Sequence, residues 1–501
     1  FIVKKICFDT FKHNQELSVK HFTLHSFKVI DTMDEQRRRV VLFPCPLQGH
    51  INPMLQLATI LHSHSKGSLS IIIVHTEFNS PNCSNYPNFT FLPISDGLSD
   101  SQIQSFTHDV ISMLPVLNQT CVSPFKDCLV NKILSQQHEP PVACIIADAI
   151  MHFTQHVADS LNIPRIVIRT SSAINFAAFA VFPLLREKGY YPIKESEFEE
   201  LVPELPPFKV KDLPRVKTHD VEGVFQLVTD MVEQTKASSG LIWNTFESLD
   251  QSVLETIQQE FFIPNFPIGP FHKCTPASSS SLLTQDFSCI SWLDTQAQSS
   301  VIYISFGSIA ALDQAQLEEI ALGLADSEQS FLWVIRPGLV ARGSRSNGVK
   351  ADEDPKDFLP QKFNEMMIQS RRGCIVKWAP QQEVLAHPAV GGFWTHNGWN
   401  STLESICEGV PMLCWPCFGD QMMNARCVSQ VWRVGLQLEN ELERGEIKRS
   451  IRRLMVQENN KEREEMMVRV NDLKEKAELC LTVGGSSYKS LESLIDYIVS
   501  F

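Results

Sequence analysis

The 501-residue chain has no uninterrupted apolar run of the roughly 20 residues that a membrane-crossing helix needs. It also lacks an excess of positive charge: 44 Lys and Arg stand against 57 Asp and Glu, a net charge of −13. That balance excludes the electrostatic footprint of a nucleic-acid binder or of a protein held on an anionic membrane. The 14 cysteines follow no repeating spacing, so they are expected to be reduced thiols of a cytoplasmic protein. Cys414 and Cys417 in "CWPC" imitate a redox pair, but they end an apolar strand-like run and do not open a helix. Redox chemistry is therefore not expected there. The acceptor triplets at Asn88, Asn118 and Asn400 are read as chance matches, because no stretch has the order of a secretory leader. Residues 1–32 show no steady period and are expected to be an extension ahead of a natural start at Met33.

What is present is apolar material, 43% of the chain, enough for a large core and for two or three domains. Short β-branched runs alternate with helical patterns from about residue 40 to residue 440. "RVVLFP" (39–44), "SIIIVHT" (70–76), "ACIIAD" (143–148), "RIVIRT" (165–170) and "GLIWNT" (240–245) form one series. "SVIYISFGS" (300–308), "FLWVIRP" (331–337), "CIVKW" (374–378), "GGFWTH" (391–396), "PMLCWP" (411–416) and "VGLQL" (434–438) form a second. Continuous apolar strands separated by helices predict parallel sheets covered on both faces. The helix at 312–327 puts Leu317, Ile320, Ala321 and Leu324 on one face, with Asp313 as N-cap.

Between the two series, the Pro- and Ser-rich stretch 269–283 is expected to be an interdomain linker, and 341–355 a mobile surface loop. The charged run from Glu439 to Arg469 is expected to be a solvated helical face. Two doubly wound domains facing across a cleft put ligand sites at the carboxyl ends of their strands.

One stretch fits neither an apolar core nor a solvated loop: "HPAVGGFWTHNGWNSTLESICEGVP", residues 387–411. It reads as a strand, a turn of small residues, and a helix ending at Gly409. A helix N-terminus exposes unpaired N–H groups and partial positive charge, so it suits a phosphate. His396, Asn397, Gly398, Asn400 and Ser401 surround that end with small or polar side chains. Glu404, one turn on, presents a carboxylate suited to two vicinal ribose hydroxyls. A capped helix with a core Trp would look the same from spacing alone.

The flanks separate those readings. From Trp378 to Gln421 the segment "WAPQQEVLAHPAVGGFWTHNGWNSTLESICEGVPMLCWPCFGDQ" closely resembles the signature box of plant family-1 glycosyltransferases, which use uridine diphosphate sugars. "GHINP" near the start and "SFGS" in the middle extend the resemblance along the chain from Met33, and its look is closest to the group that glucosylates terpenoids, cytokinins and other small hormones. The resemblance implies the GT-B fold, two Rossmann-like doubly wound α/β domains. Residues 33–272 would bind acceptor, 273–482 would bind the UDP-sugar, and a helix at 483–501 would pack back on the first domain.

It also implies roles. Trp378 would stack on uracil, a contact worth about 1–3 kcal/mol for a base on an aromatic ring. Ala379 and Gln381 would bind the uracil edge, and Glu404 the ribose. His396, Asn397, Gly398, Asn400, Ser401 and Ser308 would grip the diphosphate, and Trp399, Asp420 and Gln421 the sugar, taken as glucose. Thr170 and Ser171 would touch sugar or phosphate. His50, in a Gly-turn after the first strand, would be the base and Asp148 its partner; an imidazole with its ordinary pKa near 6.5 is suited to that task. His152 is a rival for the base. Inverting transfer from UDP-glucose to a hydroxyl, carboxyl or nitrogen of a small lipophilic plant metabolite would give a β-glucoside; the alternatives are a non-catalytic nucleotide-sugar binding protein, or a transferase that uses another UDP-sugar or a lipid acceptor. Gln48, Gly49, Ile150 and Phe418 would line the acceptor pocket, with loops 47–49, 96–98, 150–153 and 172–182 around it. "DED" at 352–354 resembles the acidic triplet of metal-dependent transferases but follows no strand. No metal or other cofactor is expected, and the protein is expected to be a monomer whose only partners are the donor and a small acceptor.

Overall fold

The computed structural model describes residues 37–106, 110–215, 218, 220–275, 282–339, 359–439, 441–456 and 461–501. Residues 1–32, the whole loop at 341–355 and the "DED" triplet within it lie outside them.

The two series of apolar runs build two parallel sheets. The first holds β1 (Arg38–Phe43), β2 (Leu69–Thr76), β3 (Thr90–Ile94), β4 (Val142–Asp148), β5 (Arg165–Arg169), β6 (Gly240–Trp243) and β7 (Asn265–Pro267), in the order β3-β2-β1-β4-β5-β6-β7. The second holds β8 (Val301–Ser305), β9 (Ser330–Val334), β10 (Gly373–Val376), β11 (Val390–Thr395), β12 (Met412–Cys414) and β13 (Gly435–Gln437), in the order β10-β9-β8-β11-β12-β13. Counted from its own first strand, the second sheet has the strand order of a dinucleotide-binding fold. In each sheet the order reverses beside the first strand, between β1 and β4 and between β8 and β11. At such a switch the connecting helices leave for opposite faces and open a crevice at the carboxyl ends of the strands.

Helices cover both faces of each sheet, which is why Val40, Val41 and Leu42, Ile145 and Ile146, and Val301 and Ile302 are fully buried although they are consecutive. The helix Gln314–Ser327 starts on Asp313, whose carboxylate accepts from the amide of Gln316 while the Gln316 side chain accepts from the amide of Asp313.

One local expectation changes, and a second is refined. The first residues of the supposed linker are built into the core: Phe271 is fully buried, and its amide donates to Asn244 Oδ1. Its composition signalled a linker, but packing against the first sheet decides its conformation. The charged run after Glu439 forms the helix Arg444–Met455 and opens a second one, Lys461–Leu481. Ile447, Ile451 and Leu454 of the former and Met466 of the latter are buried, so only its outer face is solvated. Even Arg463 lies inside, donating from Nε to the carbonyl of Leu454.

The last helix, Ser486–Val499, returns to the first sheet, where Leu491, Leu494 and Ile498 pack in one cluster with Val40, Ile146 and Phe266. Tyr497 donates its hydroxyl to the carbonyl of Ser239, just before β6.

Candidate active site

A cavity of about 370 Å³ lies where the two switch points face one another. Its first-sheet side starts from β1, which leads through a short turn into the helix Gln48–His64, and from β4, which ends on Asp148. His50 Nδ1 lies 2.7 Å from Asp148 Oδ2, and the amide of Ile150 donates to Asp148 Oδ1 at 3.0 Å. Burial alone would raise the Asp148 pKa. The opposing influence of His50, the Ile150 amide and Arg169 wins, and the net shift is downward. An ionised carboxylate only accepts, so Nδ1 carries the proton and Nε2 keeps its lone pair. The Thr170 hydroxyl is 2.9 Å from the same Nδ1 and fixes the ring from a second side.

Across the cavity, β11 runs into the helix Trp399–Glu408. Its N-cap is Gly398, so no side chain caps it and the first-turn amides remain free for a ligand. Asn397 takes the left-handed conformation, φ +61°, that turns the chain from strand to helix. The His396 ring is wedged between two glycines: a Cβ on Gly307 would sit 2.5 Å from its Nε2, and one on Gly398 2.7 Å away. Burial pulls the His396 pKa down to about 4, so the ring is neutral near pH 7. Its Nδ1 is buried without a hydrogen-bond partner among the described residues.

Glu404 faces the same cavity, held by the side-chain amides of Gln381 at 2.7 Å and Gln382 at 3.2 Å; burial pushes its pKa up to about 7. Gln381 also donates to Ser401 Oγ. Gln421 Oε1 accepts from the amides of Cys417 and Phe418, so its remaining offer to a ligand is its own N–H. Burial raises the Asp420 pKa, opposed by a hydrogen bond from Asn424.

Of the residues singled out in the sequence, His50, Thr170, Ser171, Ser308, Trp378, Ala379, Gln381, His396, Gly398, Trp399, Asn400, Ser401, Glu404, Asp420 and Gln421 line this one cavity, as do Gln48, Gly49, Ile150 and Phe418. Asp148 stands directly behind His50.

Other placements differ from the expectation. Asn397 does not line the cavity: its side chain is fully buried behind the turn, near Met412, and its carbonyl accepts from Asn424. The left-handed backbone there turns it away from the helix end. Trp399 donates its indole N–H to the carbonyl of Asn244, so that group is already used. Asn400 reaches across the cleft and donates to the carbonyl of Gly49 at 2.9 Å. Ser171 accepts from Arg169. Asp96 caps the amides of Phe78 and Leu98 away from the cavity, and Phe176 is core. His152 is not part of the lining, and burial lowers its pKa to about 4. Burial also pushes the Cys414 thiol up to about 12, which leaves it inert.

Sequence reading missed the outer wall. The helix Val221–Lys236 supplies Val224, Leu227, Val228 and Met231 to the cavity, and the end of β5 supplies Arg169. The helix carries an apolar repeat, but nothing local says what that face meets. Arg169 did carry a signal: a charged residue closing a run of buried β-branched ones.

Comparison with known proteins gives the family and the fold. UDP-glycosyltransferase 76B1 of Arabidopsis thaliana is 49% identical over 467 residues, covering 93% of this chain and 99% of that protein. The crystal structure of Medicago truncatula UGT71G1 complexed with UDP-glucose shares the fold, with a TM-score of 0.78 at 24% identity over 93% of this chain and 99% of the other. The structure of Phytolacca americana UGT2 complexed with UDP-2fluoro-glucose and pterostilbene is 27% identical, with a TM-score of 0.73 over 92% of this chain and 99% of that one. The family described as UDP-glucoronosyl and UDP-glucosyl transferase matches residues 55–474, so the chain belongs to that family and is a UDP-glycosyltransferase.

Proposed function

We propose that the protein transfers glucose from UDP-glucose, with inversion, to a hydroxyl of a small lipophilic plant metabolite, giving a β-glucoside. The observation that carries this reading is the His50–Asp148 pair, whose imidazole lines the same cavity as the uncapped helix end. Nε2 takes the proton of the acceptor hydroxyl as that oxygen attacks the anomeric carbon. Asp148 holds the tautomer and stabilises the imidazolium that forms. The diphosphate leaves on the opposite face of the sugar, which inverts the anomeric centre.

In this reading Trp378 stacks on uracil beside Ala379 and Gln381, and Glu404 accepts from both ribose hydroxyls. His396, Ser308, Asn400, Ser401 and the first-turn amides receive the charge that grows on the departing diphosphate. A neutral His396 between two glycines is a fixed donor there. The Gln421 amide, limited to donating, and the Asp420 carboxylate, limited to accepting while ionised, suit sugar hydroxyls. Asn400 exchanges the Gly49 carbonyl for phosphate when the donor enters. The reading needs no metal, because the chain itself supplies the donors for the leaving group.

For the acceptor, the apolar wall of Leu114, Ile150, Phe182, Leu227 and Val228 favours a lipophilic body, in keeping with the terpenoid and small-hormone group. The protein works as a cytoplasmic monomer in this reading. His50→Ala tests it: turnover falls by about 10²–10⁴ while UDP still binds. Unchanged turnover removes the base, and an α-linked product in the NMR spectrum removes inversion.

A further inference from the structure

The second-sheet half of the cavity must receive a diphosphate without a cation of its own. Among the described residues from Gln285 to Gln421 that line it, none is a Lys or Arg, and the one histidine, His396, is neutral near pH 7. Glu404 and Asp420 stand in the same wall, and the chain as a whole carries a net charge of −13. The field of such a protein repels an anion unless a local positive charge opposes it.

A positive charge does stand behind that wall. Arg336 follows β9 and is 9% exposed. Its guanidinium is bonded to carbonyls alone: Nε donates to Gly307 at 2.9 Å, one terminal nitrogen to Pro337 at 3.1 Å and the other to Ala310. Carbonyls orient a cation without cancelling its charge, and no carboxylate among the described residues pairs with it. Burial pulls its pKa down to about 10, which still leaves it charged at pH 7. Buried charges are normally paired, so an open one is poised for an anion.

The carbonyls it holds belong to the turn after β8. Ser308 and Ile309, which line the cavity, lie between the two anchored residues Gly307 and Ala310. Gly307 is in turn the residue whose Cβ would sit 2.5 Å from His396 Nε2. The field of Arg336 reaches that ring: burial is the main reason for the low His396 pKa, and the Arg336 charge lowers it further. A carbonyl occupied by Arg336 is also held from turning its lone pairs on a phosphate.

We propose that Arg336 is a positioning residue for the donor's diphosphate, clamping the turn that presents Ser308 and supplying from behind Gly307 the positive charge that the lining lacks. The inference rests on the transferase reading above and goes beyond it, because no residue given a role in donor binding there is a cation. Negative charge grows on the diphosphate as its bond to the sugar breaks, so a fixed cation behind the turn favours departure as well as binding.

The test compares UDP with uridine, which keeps the base and the ribose but carries no charge, by titration calorimetry of the wild type, Arg336→Gln and Arg336→Lys. Glutamine still offers an N–H to the carbonyls but is neutral; lysine keeps the charge and loses the planar fork. Arg336→Gln is expected to lower the preference for UDP over uridine by about ten- to a hundredfold, the effect of one full charge in a partly screened site, while uridine affinity stays close to that of the wild type. The kcat with UDP-glucose falls as well, and Arg336→Lys keeps most of both. An unchanged preference in Arg336→Gln overturns the proposal. So does an equal loss in the glutamine and lysine variants, which would make Arg336 a structural clamp alone. If Arg336→Gln does not fold, the wild type decides by salt: a buried charge is poorly screened, so the UDP preference should hold within about threefold between about 0.05 and 0.5 M NaCl, and a steep fall overturns the proposal. A wild type that transfers glucose beside an Arg336→Gln variant with intact UDP preference removes this inference and leaves the transferase reading standing; a wild type that does not bind UDP takes both away.

Discussion

Glu404 makes donor binding a proton-linked event. In the free protein its carboxyl is buried between two glutamine amides, and burial pushes its pKa up to about 7 from the ordinary 4.5. At pH 7 roughly half the molecules hold a proton there. Two ribose hydroxyls donating to the carboxylate stabilise the charged form and pull the pKa down. Donor binding at pH 7 is therefore expected to release about half a proton, and affinity to fall as pH drops below 7, by up to about tenfold per unit. UDP-glucose is the right probe, because its diphosphate diester carries no group titrating near pH 7. Titration calorimetry in buffers of different ionisation enthalpy reads the released proton directly. Glu404→Gln keeps the shape, removes the release and weakens donor binding by about ten- to a hundredfold, the loss of a charge-assisted hydrogen bond. The stability signature has a fixed sign. A raised carboxyl pKa means a contribution fully present below about 4.5 and lost as pH rises through about 7, so the wild type should lose stability across that window relative to Glu404→Gln. Equal proton release by both proteins, or none by the wild type, would refute the assignment of Glu404 to the ribose.

Gly398→Ala places a methyl 2.7 Å from His396 Nε2 and displaces the ring, so UDP affinity should fall while the far-UV circular dichroism spectrum stays native; undiminished UDP binding would show that His396 does not touch the diphosphate. Trp378→Ala should raise the KM for UDP-glucose by about 5- to 150-fold, the equivalent of 1–3 kcal/mol of stacking, with a much smaller effect on acceptor KM. Leu494→Ala, in a fully buried site on the last helix, should cost about 2–5 kcal/mol in the unfolding of the first domain, read by denaturant titration of the full chain.

How far the sequence could be read depended on how local each feature is. The central strands are runs of β-branched residues buried on both faces, and their apolar continuity announces them. The edge strands β3, "TFLPI", and β7, "NFP", are short and carry prolines, and only their neighbours make them strands. The donor side was legible because its chemistry belongs to one strand, one turn and one helix, where spacing in the chain is spacing in the fold. Asn397 marks the limit even there, since a single left-handed residue decides which way the side chain points. The acceptor side is assembled from residues far apart in the chain, among them Arg169 and Met231, so its charge and shape exist only once the helix Val221–Lys236 has docked.

The return of the final helix to the first sheet has a consequence for synthesis. Ile146 and Phe266 leave the ribosome long before Leu494 and Ile498, the residues that cover them. The half of the enzyme made first therefore waits with bare apolar surface while the other half is translated, and it becomes complete only once that helix has been made. A nascent chain stalled within the second half is an aggregation-prone species and a natural client for chaperones, however well its own sheet has formed.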